Sequence, residues 1–279
     1  MIKVSNLSYH YKLSNDKNII ALENVNLEIE KGEFVAVIGH NGCGKSTLVK
    51  HFNGLLTPNS GDVWVDGFNT REKDKIWDIR RNVGMIFQNP DNQIVGTIVE
   101  EDIAFGPENL QIPPEKIRQR VDSALSIVGM INYKNYPPHL LSGGQKQKVA
   151  IASVLAMHSN YIILDEATTM LDPKGRIEVM KEIRKLNKNE GLAIILITHF
   201  MEEAAQADRV IVMNGGRITV DDTPRKVFSN IELIKNAHLD IPQMTKLANE
   251  LRDNGINLPR NILTIDDFIK EYKSGSRRL

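Results

Sequence analysis

The sequence predicts an α/β fold: a mixed sheet core with an antiparallel β region ahead of it, a helical insertion within it and a small helical extension behind it. Three observations carry this. Short, wholly apolar runs recur at residues 34–38, 161–164 and 193–197, the pattern of strands buried on both faces. Amphipathic stretches of helical period separate such runs, which favours a parallel core. The composition from residue 89 to about 157 turns helical and stays so.

Residues 2–4 and 27–34 alternate polar with apolar and carry turn residues, so they are read as an antiparallel β region. The run 34–38 is stopped by Gly39, and residues 47–53 follow as a helix. Residues 62–67 are read as a short strand and turn, and residues 83–88 as an apolar strand ending in Gln88. In the helical stretch, Pro107, Pro113 and Pro137-Pro138 are expected breaks. A buried strand at 161–164, an amphipathic helix at 176–187 and a buried strand at 193–197 complete the core. Beyond about residue 224, helical segments at 226–237 and 243–253 are split by Pro242, Gly255 and Pro259, and a disordered basic tail is expected over residues 274–279. The expected organisation is one domain over residues 1–223, with a helical subdomain at about 90–158. A helical extension, a candidate dimerisation element, follows over residues 224–279.

The 279 residues suffice for one large domain plus an appendage. Thirty-five basic residues against 35 acidic ones argue against a whole-surface attraction to nucleic acid or anionic lipid. The single cysteine, Cys43, excludes an intrachain disulfide and fits a reducing compartment. Met1 leads into alternating residues with no signal-peptide pattern, and no run approaches the roughly 20 apolar residues of a membrane span. Any membrane link is therefore expected to go through a partner.

Gly39-His40-Asn41-Gly42-Cys43-Gly44-Lys45-Ser46 fits the phosphate-loop pattern between a strand and a helix. Glycines let backbone N–H groups turn towards phosphates, and the helix end adds partial positive charge. Lys45 supplies a point charge to the β- and γ-phosphates, and the Ser46 hydroxyl is a candidate Mg²⁺ ligand. Asp165-Glu166 ends a buried run; such a pair elsewhere is a solvated surface feature, but at a strand's carboxyl end it lies where α/β sheets bind ligands. Asp165 is then the candidate Mg²⁺ holder, directly or through water, and Glu166 the candidate general base. His199 ends the next apolar strand; in isolation such a histidine is structural, but this strand is expected beside the Asp165 strand, which brings His199 to the same edge as a contact to the γ-phosphate and the attacking water. Gln88 is either an ordinary polar strand end or an amide for Mg²⁺ or water. Cys43 is either an inert packing residue or a thiol whose pKa the nearby helix N-terminus lowers.

These elements, in this order, resemble the ATP-binding subunits of ABC transporters over roughly residues 2–222. The resemblance implies a P-loop NTPase of ABC type that binds ATP and Mg²⁺ and hydrolyses ATP. It makes residues 39–46 the Walker A motif, with Thr47 beside it, and residues 162–166 the Walker B motif. Gln88 matches the Q-loop, Leu141-Ser142-Gly143-Gly144-Gln145 the signature, Leu171-Asp172 the D-loop and His199 the switch histidine. An aromatic that stacks on adenine is implied near the start, with Tyr11 the candidate and Tyr9 the alternative. Residues 87–93 and 101–109, with the helical extension, narrow the resemblance to the energy-coupling factor branch, which powers vitamin and metal uptake. Residues 39–42, 165–168 and 170–173 look most like the first of that branch's two paralogous ATPases. Cys43 stands where Ser is common, and Lys148 where Arg is common.

In such ATPases the signature serves the nucleotide of an opposite subunit, with Ser142 and the Gly143-Gly144 backbone facing a γ-phosphate held at the other chain's lysine. The resemblance thus implies a second ATP-binding subunit, which the residues leave open as a copy of this chain or a paralogue and for which the resemblance favours a paralogue. It also implies a transmembrane coupling subunit, a substrate-binding membrane subunit, no nucleic acid, and a place on the cytoplasmic face of the membrane held only through partners.

Overall fold

The computed structural model describes residues 1–12 and 18–275. The α/β expectation holds. Strand β1 spans Ile2–Lys12, β2 Asn18–Ile29, β3 Phe34–Ile38, β4 Ser60–Val65, β5 Phe68–Asn69, β6 Val83–Ile86, β7 Tyr161–Asp165, β8 Ala193–Ile197, β9 Arg209–Asn214 and β10 Arg217–Asp222. Among the described residues they form two sheets, in the orders β2-β1-β4-β5 and β10-β9-β3-β8-β7-β6. The first sheet is antiparallel. The second is parallel from β9 through β6, with β10 an antiparallel edge.

Alternation along the fully buried strands decides which layer each side chain joins, because successive side chains point to opposite faces. Val35, Val37, Ile163, Ile195 and Ile211 face the antiparallel sheet and helix α1, Lys45–Phe52. Phe34, Ala36, Ile38, Leu164, Ile194 and Leu196 face the helical layer. That layer contains α3 (Val99–Asn109), α4 (Pro114–Ile127), α5 (Gly143–Ala156) and α6 (Pro173–Glu190); α2, Ile76–Asn82, precedes β6. A four-residue helix α7, Met201–Ala204, follows β8.

Five details differ from the sequence reading. Strand β6 stops at Ile86, two residues before Gln88. Pro107 does not break α3; it lies in the helix's last turn, where it forgoes one backbone hydrogen bond to the preceding turn and the helix ends two residues later. Arg209–Asn214 and Arg217–Asp222 form a hairpin that the reading did not name. The expected helix at 226–237 is two, α8 at Pro224–Ser229 and α9 at Ile231–Asn236, because the Asn230 side chain accepts from the Leu233 N–H and starts a new helix. Then come α10, Gln243–Asp253, and α11, Ile265–Gly275. The last helix takes in residues 274–275 of the expected tail; residues 276–279 lie outside the described residues. Ala248, Leu258 and Ile262 form a small core of their own, with Met244, Leu251 and Phe268 against it.

Candidate nucleotide site

The carboxyl ends of four neighbouring parallel strands meet at one sheet edge. Strand β8 lies between β3 and β7, and β6 lies outside β7. Asp165 is level with Ile197, so the residues leaving β7 and β8 emerge side by side.

Beyond β3 the chain turns through Gly42 at φ 79° and Gly44 at φ 103°, and Gly44 is the N-cap of α1. An L side chain at Gly44 is doubly excluded, by that left-handed backbone and by the Ala21 carbonyl oxygen 2.5 Å from where a Cβ would lie. Lys45 is buried, and its ammonium donates to the carbonyl oxygens of Gly39 at 2.8 Å and His40 at 3.0 Å. His40 is held by Asn41 O at 2.8 Å and Asn214 Oδ1 at 3.1 Å, and Asn41 is exposed. Thr47 Oγ1 lies 3.2 Å from Tyr11 Oη. Tyr11 is partly exposed beside the loop, whereas Tyr9 packs its ring edge-on between Tyr11 and His51.

For Cys43 the structure favours the first of the two readings. Its side chain is 1% exposed, and a Cβ on Gly39 would come 2.6 Å from its sulfur. Burial pushes the thiol pKa up, although Lys45 opposes this. Desolvation outweighs the helix end here, so Cys43 is a packing residue rather than an activated thiol.

The Ser46 hydroxyl donates to Asp165 Oδ1 at 2.8 Å. Burial raises the Asp165 pKa first and foremost; the Ser46 hydrogen bond opposes this and the Glu166 charge adds to it. Glu166 Oε2 accepts from Gln88 Nε2 at 2.9 Å, and Oε1 lies 2.6 Å from His199 Nε2. Its backbone takes the left-handed conformation at φ 53°, and its N–H donates to Ile197 O at 3.0 Å. The site's predicted polar residues thus divide into two linked clusters, Ser46–Asp165 and Gln88–Glu166–His199.

The first cluster fits Mg²⁺. Hydroxyl and carboxylate are hard oxygen donors, and this ion commonly takes one or two protein oxygens, with substrate phosphates and water completing its shell. The acid cluster also needs a counter-charge: Asp165 is buried beside Glu166, with Lys45 and Lys50 supplying part of it. Gln88, the third predicted ligand, has its amide nitrogen engaged by Glu166.

Ser142–Gln145 stand apart from this cluster, at the start of α5. Gln145 N–H donates to Ser142 Oγ at 3.3 Å, while Ser142 N–H donates to Gln145 Oε1 at 2.9 Å. This is a capping box, a signal present in the Ser-x-x-Gln spacing and missed in the sequence reading. A Cβ on Gly144 would come 3.1 Å from Met170 O, so the glycine lets α5 start close against the segment before Asp172. Other contacts lead to Gln88. Lys146 Nζ pairs with Asp91 Oδ1 at 2.7 Å, and buried Gln147 donates to Phe87 O at 3.4 Å. Asp102, also missed, is buried and accepts from the Val95 and Gly96 N–H groups and from Ser153 Oγ. It ties the stretch after Gln88 to α3 and α5.

Fold and site together define a phosphate-loop nucleotide hydrolase with a helical insertion, a class that comparison with known proteins narrows. The family model described as ABC transporter matches residues 22–169. An energy-coupling factor transporter ATP-binding protein, EcfA1 of Clostridium novyi, is 57% identical over 269 residues, covering 96% of each chain. The cobalt import ATP-binding protein CbiO of Syntrophus aciditrophicus is 47% identical over 271 residues, covering 97% of this chain and 95% of its own. Among solved structures, cbiO1 from Clostridium perfringens, described as part of the ABC transporter complex cbiONQ, superposes with a TM-score of 0.74 at 38% identity over 90% of this chain and 98% of its own. The chain belongs to the ABC transporter family, as an ATP-binding subunit of the energy-coupling factor type most like the first of its paralogous ATPases. It is a nucleotide-binding protein and an ATPase.

Proposed function

We propose that this chain powers uptake of vitamins or metal ions by hydrolysing ATP at an interface with a second, paralogous ATP-binding subunit. The observation that carries the reading is the grip on Glu166, whose two carboxylate oxygens are held by His199 at 2.6 Å and Gln88 at 2.9 Å. Such a carboxylate is aimed and able to accept a proton from an attacking water. His199 orients it and faces the γ-phosphate; Gln88 aligns the same water. The loop backbone from Gly39 to Gly44, with Lys45 and Thr47, cradles the phosphates, and Tyr11 stacks on adenine. Ser46 and Asp165, with the Gln88 amide oxygen, would hold Mg²⁺, which would supply Lewis-acid stabilisation of phosphate charge.

Ser142, Gly143, Gly144 and Gln145 serve the partner's nucleotide. Support comes from their position at the start of α5, with Ser142 and Gly143 exposed and Gly144 and Gln145 half-buried, where helix N–H groups and dipole suit a phosphate. It also comes from an ATP-binding cassette solved as a dimer in a post-hydrolysis state with ADP and Pi, which is 33% identical with a TM-score of 0.75. A transmembrane coupling subunit and a substrate-binding membrane subunit complete the assembly on the cytoplasmic face. Among the described residues no helix is long and apolar enough to cross a membrane, so attachment is peripheral, through those partners. Residues 1–223 form the ATP-binding domain, and residues 224–279 an extension that takes part in pairing; α8 and α9 pack into the main core through Val227, Phe228, Ile234 and Ala237, and the separate small core at Ala248, Leu258 and Ile262 begins only with α10.

Affinity purification of the tagged chain from membranes, followed by ATPase assay, tests this. Co-purification of multi-span membrane proteins with ATP turnover supports the reading, and a turning-over chain that brings down none overturns the transport part.

A further inference from the structure

Glu203 lies on α7, four residues beyond His199, and is 4% exposed. Its Oε2 accepts two hydrogen bonds, from Thr198 Oγ1 at 2.5 Å and from Thr168 Oγ1 at 3.1 Å. Both threonines are 1% exposed. Its Oε1 has no hydrogen bond among the described residues and faces Arg176 Nε at 3.9 Å. The Arg176 guanidinium stacks on the Phe200 ring at 3.5 Å, and the Phe200 N–H donates to Thr198 Oγ1 at 3.0 Å. Burial pushes the Glu203 pKa up, while both hydroxyls and Arg176 oppose this. A buried carboxylate with one oxygen unsatisfied is costly, and an apolar side chain would fill the same place more cheaply. The position therefore asks for a role beyond packing.

We propose that Glu203 is a positioning residue that sets the Glu166–His199 pair and couples it, through Arg176, to the segment ending at Asp172. The proposal rests on the roles assigned above to Glu166 and His199. Thr198 immediately precedes His199, and Thr168 follows Glu166 by two residues. One oxygen holding both hydroxyls fixes the exits of β7 and β8 against each other, and so the 2.6 Å contact between Glu166 and His199. The second oxygen reads the other side. Arg176 N–H donates to Asp172 O at 2.9 Å, so the first turn of α6 moves with Asp172. The 3.9 Å separation between Arg176 and Glu203 exceeds a charge-assisted hydrogen bond of about 2.7–2.9 Å. An approach of about 1 Å by that turn completes the bond and satisfies Oε1. Displacement of the Asp172 segment, as when a partner subunit docks there, is thereby felt where Glu166 is aimed.

The test compares wild type with Glu203→Gln, Thr198→Val and Thr198→Ser, as full chains purified with their membrane subunits. Glu203→Gln keeps shape but removes the charge facing Arg176, and Thr198→Ser keeps the hydroxyl that Thr198→Val removes. The expected result is kcat at least tenfold lower for Glu203→Gln and Thr198→Val, with KM for ATP within twofold. Thr198→Ser should stay within threefold of wild type. Values of kcat within twofold of wild type for both variants overturn the proposal. So does a joint fall in kcat, ATP binding and melting temperature that serine does not rescue. Amide hydrogen exchange of the nucleotide-free chain separates this proposal from the ATPase reading on which it rests. With an unchanged melting temperature, Glu203→Gln should speed exchange about tenfold at both 166–172 and 198–202. Acceleration confined to 201–204 overturns the positioning role, whereas a wild type without turnover overturns the ATPase roles and leaves the exchange result to decide positioning.

Discussion

Glu166 is a non-glycine residue at φ 53°, a conformation costing about 1–2 kcal/mol, held there by its N–H bond to Ile197 and by its carboxylate contacts. The strain turns the side chain towards Gln88 and His199. Replacing Glu166 by Gln preserves the shape and removes the proton acceptor. ATP binding should persist, and turnover should fall by about 10²–10⁴-fold, the usual share of a general base; turnover at the wild-type rate would refute the assignment. His51 offers a pH test. It is fully buried, its Nδ1 lies 2.8 Å from Thr47 O, and burial holds its pKa down from 6.5 to about 4. The unfolded chain takes up this proton near pH 6.5 and the folded chain only near 4, so stability falls as pH drops through that window. At pH 5 the cost is about 2 kcal/mol relative to pH 7.5. His51→Gln should lose correspondingly less stability over that interval in denaturant titrations, and equal losses would refute the assignment. Cys43, buried at 1% exposure with a raised pKa, should alkylate slowly with and without ATP; fast labelling that ATP blocks would restore the activated-thiol view.

Helix α5 is the element on which two functions converge. Its first turn is closed by the Ser142–Gln145 capping box, and its body is anchored to Phe87 and Asp91 on the Gln88 side. Ser142→Ala removes one arm of the box and should cost about 1 kcal/mol in unfolding free energy. Ser142→Arg tests function instead. Nothing in the chain's own phosphate loop is touched, so ATP binding at Lys45 should be unchanged while turnover at the partner's site is lost. Weakened binding by the substituted chain itself would refute the trans arrangement. The same element shows the reach and the limit of local signals. The Ser-x-x-Gln spacing announces the helix start, whereas the contacts of Lys146 and Gln147 join residues about 55–60 positions apart and leave no periodicity to read.

At the scale of the molecule, charge is balanced, and among the described residues no helix is long and apolar enough to cross a membrane. Native mass spectrometry of the complex extracted from membranes should show one copy of this chain with one paralogous ATP-binding subunit on the membrane subunits. A complex containing only two copies of this chain would replace the heterodimer by a homodimer. Within the extension, α8 and α9 join the main core while α10 and α11 have a small core of their own, and Ile265, Ile269 and Tyr272 on α11 are exposed.

The sequence by itself determined the layered α/β core, the phosphate loop, the acidic end of β7 and the family, because each is written in residues close together in the chain: apolar runs, glycine spacing, a carboxylate pair. It did not yield the hairpin β9–β10, the continuity of α3 through Pro107 or the burial of Cys43, where neighbours distant in sequence outweigh local propensity. Only the tertiary structure decided that β8 lies between β3 and β7, and hence that His199 and Gln88 close on one carboxylate. It alone brought Thr168, Thr198 and Arg176 around Glu203. The physical reason is the same in each case. Strand order and register place side chains from separate segments within hydrogen-bond reach, and no pattern local to any one segment encodes the meeting.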